Sequence, residues 1–103
     1  MTPSRGLPPE LTIYTAGDVR TQCLAWLGAP AEDGDEDGWA LDASAVDQVD
    51  AAGVQLLVSL ARSLDGLARP LRLHRPSAPL TEACGALGLG DWLSARTATG
   101  ATP

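Results

Sequence analysis

Asp33-Gly-Asp35-Glu-Asp37-Gly38 copies the first half of a calcium loop, where alternate carboxylates converge on one cation. The twelfth position of such a loop needs a bidentate Glu, and here it is Ser44. A strand pattern rather than a helix follows, so the run is expected to be a solvated acidic loop, not a metal site. His74 is the only histidine, between Leu73 and Arg75, with no Cys, Asp or Glu at metal spacing. Ordinary surface or edge placement is its expected role. A nucleophilic triad would need His74 to meet a serine and an acid, yet Ser44, Ser59, Ser63 and Ser77 lack any elbow motif. Gly88-Leu-Gly90 follows a helix pattern and lacks the surroundings of a phosphate-cradling loop. No catalytic residue, metal or cofactor is expected.

What remains is chemistry done to this chain or at its surface. From Trp39 a short β-like run ends at Asp42, followed by a turn carrying Ser44, Asp47 and Asp50. A helix then opens with three small residues, Ala51, Ala52 and Gly53. Small side chains there leave the unpaired N–H groups of a helix start open to an anion or another backbone. None of these three residues can do covalent chemistry through a side chain, so the segment reads as a docking surface: Ser44, Asp47, Asp50, Ala51, Ala52, Gly53, Gln55 and Ser59. Asp50 also suits an N-cap, next to the positive end of the helix dipole. Ser44 and Ser59 are candidate phosphoacceptors, with turn hydrogen bonding and exposed helix surface as their plainer roles.

The elements that hold this surface alternate. Leu11 to Tyr14 predicts a first strand, and Thr15-Ala16-Gly17-Asp18 fits a capping box. Val19, Cys23, Trp26 and Leu27 share one face of a first helix that Gly28 and Pro30 stop. Ala31 to Gly38 is the acidic loop, and Trp39 to Ala43 a second strand, apolar enough to be covered on both faces. The second helix runs from about Ala51 to Leu64, with Val54, Leu57, Val58, Ala61 and Leu64 inward, widened by Leu56 and Leu60. Ala51, Gln55, Ser59 and Arg62 form its outer stripe. Leu71 to His74 is a third strand. A third helix opens at Ser77 and Pro79, turns Leu80, Cys84 and Leu87 inward and closes at Gly88. Trp92 and Leu93 pack back in one last helical turn. Strands separated by helices pair in parallel, giving one small α/β domain whose mostly parallel central sheet is covered by helices. Residues 11–94 form the domain; 1–10 and 95–103 are expected to be flexible. A further edge strand from the lead-in would be short, because Pro8 and Pro9 interrupt it.

The 103 residues suffice for one packed core, and no apolar run is long enough for a membrane helix. Met1 to Pro9 has no apolar core behind a basic flank, so it is not read as a signal peptide. Thirteen acids against seven arginines and no lysine leave a net charge of −6. That excludes the positive footprint that nucleic acid or an anionic membrane requires. Cys23 and Cys84 are too few for a disulfide framework and are expected as reduced, buried thiols in a cytoplasmic protein.

Leu41-Asp42-Ala-Ser-Ala-Val46, then Val49-Asp50-Ala-Ala-Gly53-Val-Gln-Leu-Leu57, resembles the signature of STAS domains, the fold of bacterial anti-anti-sigma factors. Pro70 to Ser77 and Leu87 to Leu93 resemble that family's later strand and closing helices. The opening Leu11-Thr-Ile-Tyr-Thr-Ala16 and the run Gln55-Leu-Leu57 are similar to stand-alone STAS proteins associated with chemotaxis signalling. The resemblance implies a non-catalytic module that binds a protein partner, either a kinase-like anti-sigma factor or a chemotaxis component. It also implies a switch: a serine directly after the Asp is phosphorylated by that kinase, and the added charge abolishes binding. Here that position is Ala51, which has no hydroxyl, so the usual switch is expected to be lost and binding to be constitutive. STAS proteins also serve as cytosolic subunits docked on the ATPase of ABC-type lipid transporters, which is the alternative reading.

Overall fold

A computed structural model describes residues 5–30, 35 and 38–97. Strand β1 (Glu10–Leu11) leads into α1 (Ala16–Leu27), followed by β2 (Trp39–Asp42) and β3 (Gln48–Val49). Then come α2 (Ala51–Gly66), β4 (Leu71–His74), α3 (Ala78–Ala86) and α4 (Gly90–Arg96). β1 pairs in parallel with β3, and β2 in parallel with β4. A parallel bridge from Gly6 to Asp42 joins the two pairs, so the strands lie in the order β3-β1-β2-β4. This is a small α/β fold with parallel pairing throughout the described residues.

The lead-in departs from expectation. Arg5 and Leu7 are buried, Leu7 N donates to Asp42 O at 2.9 Å, and Asp42 N donates to Arg5 O at 2.9 Å. Residues 5–11 therefore run through the middle of the sheet, not along its edge or free of it. Pro8 and Pro9 split the pairing, and the Pro9 carbonyl accepts from the N–H groups of Asp47 and Gln48. The tail differs in the same way: α4 runs to Arg96, and Thr97 bridges Leu73 on the free side of β4. Residues 1–4 and 98–103 lie outside the described part.

Trp39, Ala40 and Leu41 of β2 are all buried, as an apolar strand covered on both faces should be. In β4 only Leu71 and Leu73 are buried, and Arg72 and His74 are partly exposed. α2 packs on β1, β3 and β4 and against α1, turning Val54, Leu57, Leu60, Ala61 and Leu64 inward. Val58 and Leu56 sit at the margin of that face. Leu80 and Cys84 of α3 are buried, but Leu87 is 47% exposed because it caps the helix instead of continuing it. Leu93 is buried and Trp92 half-buried, so α4 closes the core as its sequence suggests. Both cysteines are free and buried; burial pushes the Cys23 thiol up to about 11 and the Cys84 thiol up as well. No described helix is long and apolar enough to cross a membrane.

The acidic loop is not wholly solvated. Asp35 accepts two hydrogen bonds from Arg5, at 2.8 and 2.9 Å, and one from Ala40 N at 2.9 Å. Arg5 is only 1% exposed, with its guanidinium 4.3 Å from the centre of the Trp39 ring. A buried cation at the start of the chain thus clasps one loop carboxylate, and that carboxylate is not available to calcium. Glu32, Asp33, Glu36 and Asp37 lie outside the described residues. Among the described residues no three His, Cys, Asp or Glu side chains group to hold a metal.

Gly53 and Gly38 are fixed by space. A Cβ on Gly53 would drive into the Leu11 carbonyl, and one on Gly38 into that of Pro70. Overpacking of this kind should make Gly53→Ala cost about 3 kcal/mol or more in urea unfolding. Gly85→Ala, whose Cβ meets only open space, should gain about 0.5 kcal/mol. Removing either member of the Arg5–Asp35 pair takes the shortest charged contact from a buried partner. Arg5→Ala and Asp35→Ala should each cost about 3 kcal/mol, and the double variant much less than the sum. Strict additivity would show that the clasp carries no coupling.

Candidate docking site at the front of the second helix

The site begins with the cap of α2. Asp50 is extended, at φ −124° and ψ −177°, and its Oδ1 accepts from Gly53 N at 3.0 Å. Its second oxygen, Oδ2, accepts from Ile13 N at 3.0 Å. One carboxylate therefore pairs an unsatisfied donor of α2 with a donor in the connection between β1 and α1. The Ile13 N–H lowers the Asp50 carboxyl below the ordinary range, with the Gly53 N–H adding to it.

The expected strand from Leu11 to Tyr14 stops at Leu11, and Ile13 and Tyr14 occupy a turn. Thr12 and Thr15 build that turn locally. Thr15 Oγ1 accepts from Thr12 N at 3.1 Å and donates to Glu10 O at 2.9 Å, while Tyr14 N donates to Thr12 Oγ1 at 3.2 Å. Thr15 makes no side-chain cap on α1, so the capping box is not formed. Its hydroxyl serves the turn instead. The outcome is an apolar projection: Ile13 is 66% exposed and Tyr14 88%.

This projection was legible after all. A helix capped at Thr15 leaves no linker behind a strand that ends at Tyr14, whereas a β-to-α connection needs about 2–6 residues. The strand therefore had to end near Leu11, which pushes Ile13 and Tyr14 into the loop.

The surface inferred from sequence divides in two. Ser44, Asp47, Ala51, Gln55 and Ser59 are exposed, and Asp50 and Ala52 are partly so. Gly53 is buried against β1 and serves packing, not contact with another molecule. Arg62 completes the exposed outer stripe of α2 with Ala51, Gln55 and Ser59. Ser44 N donates to Asp42 Oδ1 at 2.9 Å, and Arg75 Nη2 donates to Asp42 Oδ2 at 2.9 Å. Burial pushes the Asp42 carboxyl up, but the Ser44 N–H and hydroxyl and the Arg75 guanidinium outweigh it and leave the carboxyl lowered. Ser44 thus holds a turn, whatever else it does. His74 lies at the end of β4, partly exposed.

The Asp50 shift fixes a sign. A carboxyl lowered in the folded state contributes stability above its unfolded pKa of about 4, lost as pH falls through the folded value. Asn keeps one acceptor oxygen but does not titrate, so Asp50→Asn should lose less stability than the parent between pH 7 and pH 3. Equal losses in urea titrations at the two pH values would show that the charge of Asp50 does not matter.

The family model described as Mlab, STAS domain matches residues 7–95. Neither a curated protein nor a solved structure matches the chain. The parallel strand order, the Asp-capped second helix and a match over nearly the full length agree: the chain belongs to the STAS domain family.

Proposed function

We propose that this chain is a non-catalytic protein-binding module of the anti-sigma factor antagonist type, acting in bacterial cytoplasmic signalling. STAS domains typically bind protein partners, and the front of α2 offers what such binding needs. The observation that carries the reading is the exposure of Ala51 and Gln55, with Asp50 anchoring the helix start beside an uncovered Ile13 and Tyr14. A packed helix front would have left no surface to offer. The partner is a kinase-like anti-sigma factor or a chemotaxis signalling protein, and the contact runs from Ser44 to Ser59 apart from the buried Gly53.

Ala51 stands where the family's phosphorylated serine belongs, so the module binds constitutively. Incubation with the partner kinase and ATP, followed by phosphosite mapping, should find no label at this surface; label on Ser44 or Ser59 would overturn constitutive binding. An acid at Ala51 is tolerated by the helix dipole but places charge inside the contact. Ala51→Asp should leave the melting temperature within a few degrees of the parent and weaken partner binding at least about tenfold, roughly 1.4 kcal/mol. Unchanged affinity would place the surface elsewhere. Co-purification of a transport ATPase in place of a kinase or chemotaxis protein would replace the signalling reading with the transporter-subunit one.

A further inference from the structure

We propose that Ile13 and Tyr14 form the anchor of the docking surface, inserting into an apolar pocket with a basic rim on the partner protein. The inference rests on the reading of this chain as a protein-binding module and names the residues that choose the partner. Tyr14 is the only tyrosine, and at 88% exposure it makes almost no contact with its own fold. The three tryptophans, by contrast, are all buried or half-buried. A large apolar ring held in water by a well-bonded turn gains its stabilising contacts elsewhere, and tyrosine is among the commonest anchors of protein interfaces.

The turn is rigid where it needs to be. Asp50 holds Ile13 N, Thr12 holds Tyr14 N and Thr15 holds Thr12 N, so both side chains project from a backbone fixed to α2 and β1. A preorganised anchor loses little freedom on binding.

Charge defines the partner. Glu10 and Asp50 border the turn, the first accepting from Thr12 Oγ1 at 2.6 Å and the second from Ile13 N at 3.0 Å. Asp18 in the first turn of α1 and Asp47 just before β3 are exposed carboxylates on the adjoining segments. None of the four takes part in an ion pair among the described residues. Most cations lie elsewhere: Arg75 pairs with Asp42, Arg96 with Asp65, Arg69 and Arg5 with Asp35, Arg72 donates to Ala95 O, and Arg20 lines the cleft between α1 and α2. Arg62 is exposed on the outer stripe of α2, about three turns beyond its start. An apolar knob inside an acidic rim repels a second copy of this chain, which carries net charge −6, and suits a pocket edged by Lys and Arg.

The test places a photo-reactive benzoylphenylalanine at position 14, at Gln55 or at Leu87 in the full chain expressed in cells. The cross-linked protein is then purified and titrated against the parent, Tyr14→Ala and Tyr14→Phe. Cross-linking from 14 and 55 but not 87, to a peptide carrying Lys or Arg, is the expected result. Tyr14→Ala should then bind at least about thirtyfold more weakly, with an unchanged melting temperature, while Tyr14→Phe stays within a few-fold. Cross-linking from 55 alone, or a Tyr14→Ala affinity equal to the parent's, overturns the anchor and leaves the binding function intact. A cross-linked homodimer, or an acidic target peptide, overturns the assigned partner chemistry. Cross-linking from 87 only, or from no position, overturns both the anchor and the binding surface.

Discussion

The first turn of α2 lies against the backbone of β1, and only because residue 53 has no side chain. A Cβ at Gly53 would occupy the space of the Leu11 carbonyl. That close approach brings Asp50 within reach of the residue two places beyond Leu11, where it meets Ile13 N. The cap of one helix becomes the tether of the turn that starts another. Every feature of the candidate surface follows from this geometry: the helix front faces outward, the small residues beside it stay uncovered, and the apolar turn is held next to them.

The same contact explains why small residues follow one another at positions 51 to 53 without sharing a role. Gly53 is small for the sake of the strand beneath it. Ala51 is small and exposed, where size is not constrained by packing. A serine at 51 would meet no steric objection from the fold, so the missing hydroxyl is not something packing demands. Packing and surface chemistry therefore separate within three residues.

Much of the architecture was readable from periodicity. The 3.6-residue repeat of Val54, Leu57, Ala61 and Leu64 and the alternation of Leu71 and Leu73 mark elements whose buried faces the structure reproduces. Several of the failures share a cause, which is pairing between segments distant in sequence. β3 is two residues long and carries no pattern of its own; it exists because Gln48 and Val49 find Glu10 and Leu11. Arg5 looked like the start of a loose lead-in, and its burial depends on Asp35 and Trp39, 30 and 34 positions away. Ile13 and Tyr14 have strong β propensity, yet Asp50 and the two threonines give their backbone better partners in a turn. Propensity is a weak force against a satisfied donor.

The charge layout follows from the same economy of partners. With seven arginines and thirteen acids, cations are scarce, and the fold commits four of them to Asp35, Asp42 and Asp65. These pairs tie Asp35 to Arg5 and Arg69, the end of β2 to Arg75, and the far end of α2 to α4. Among the described residues no arginine pairs with Glu10 or Asp50 beside Ile13 and Tyr14, and Asp50 is stabilised by backbone N–H groups. A carboxylate satisfied in that way keeps its charge and its outward field. Four of the seven arginines thus help hold the domain together, while the carboxylates Glu10 and Asp50 at the turn beside the front of α2 have no cation paired with them among the described residues.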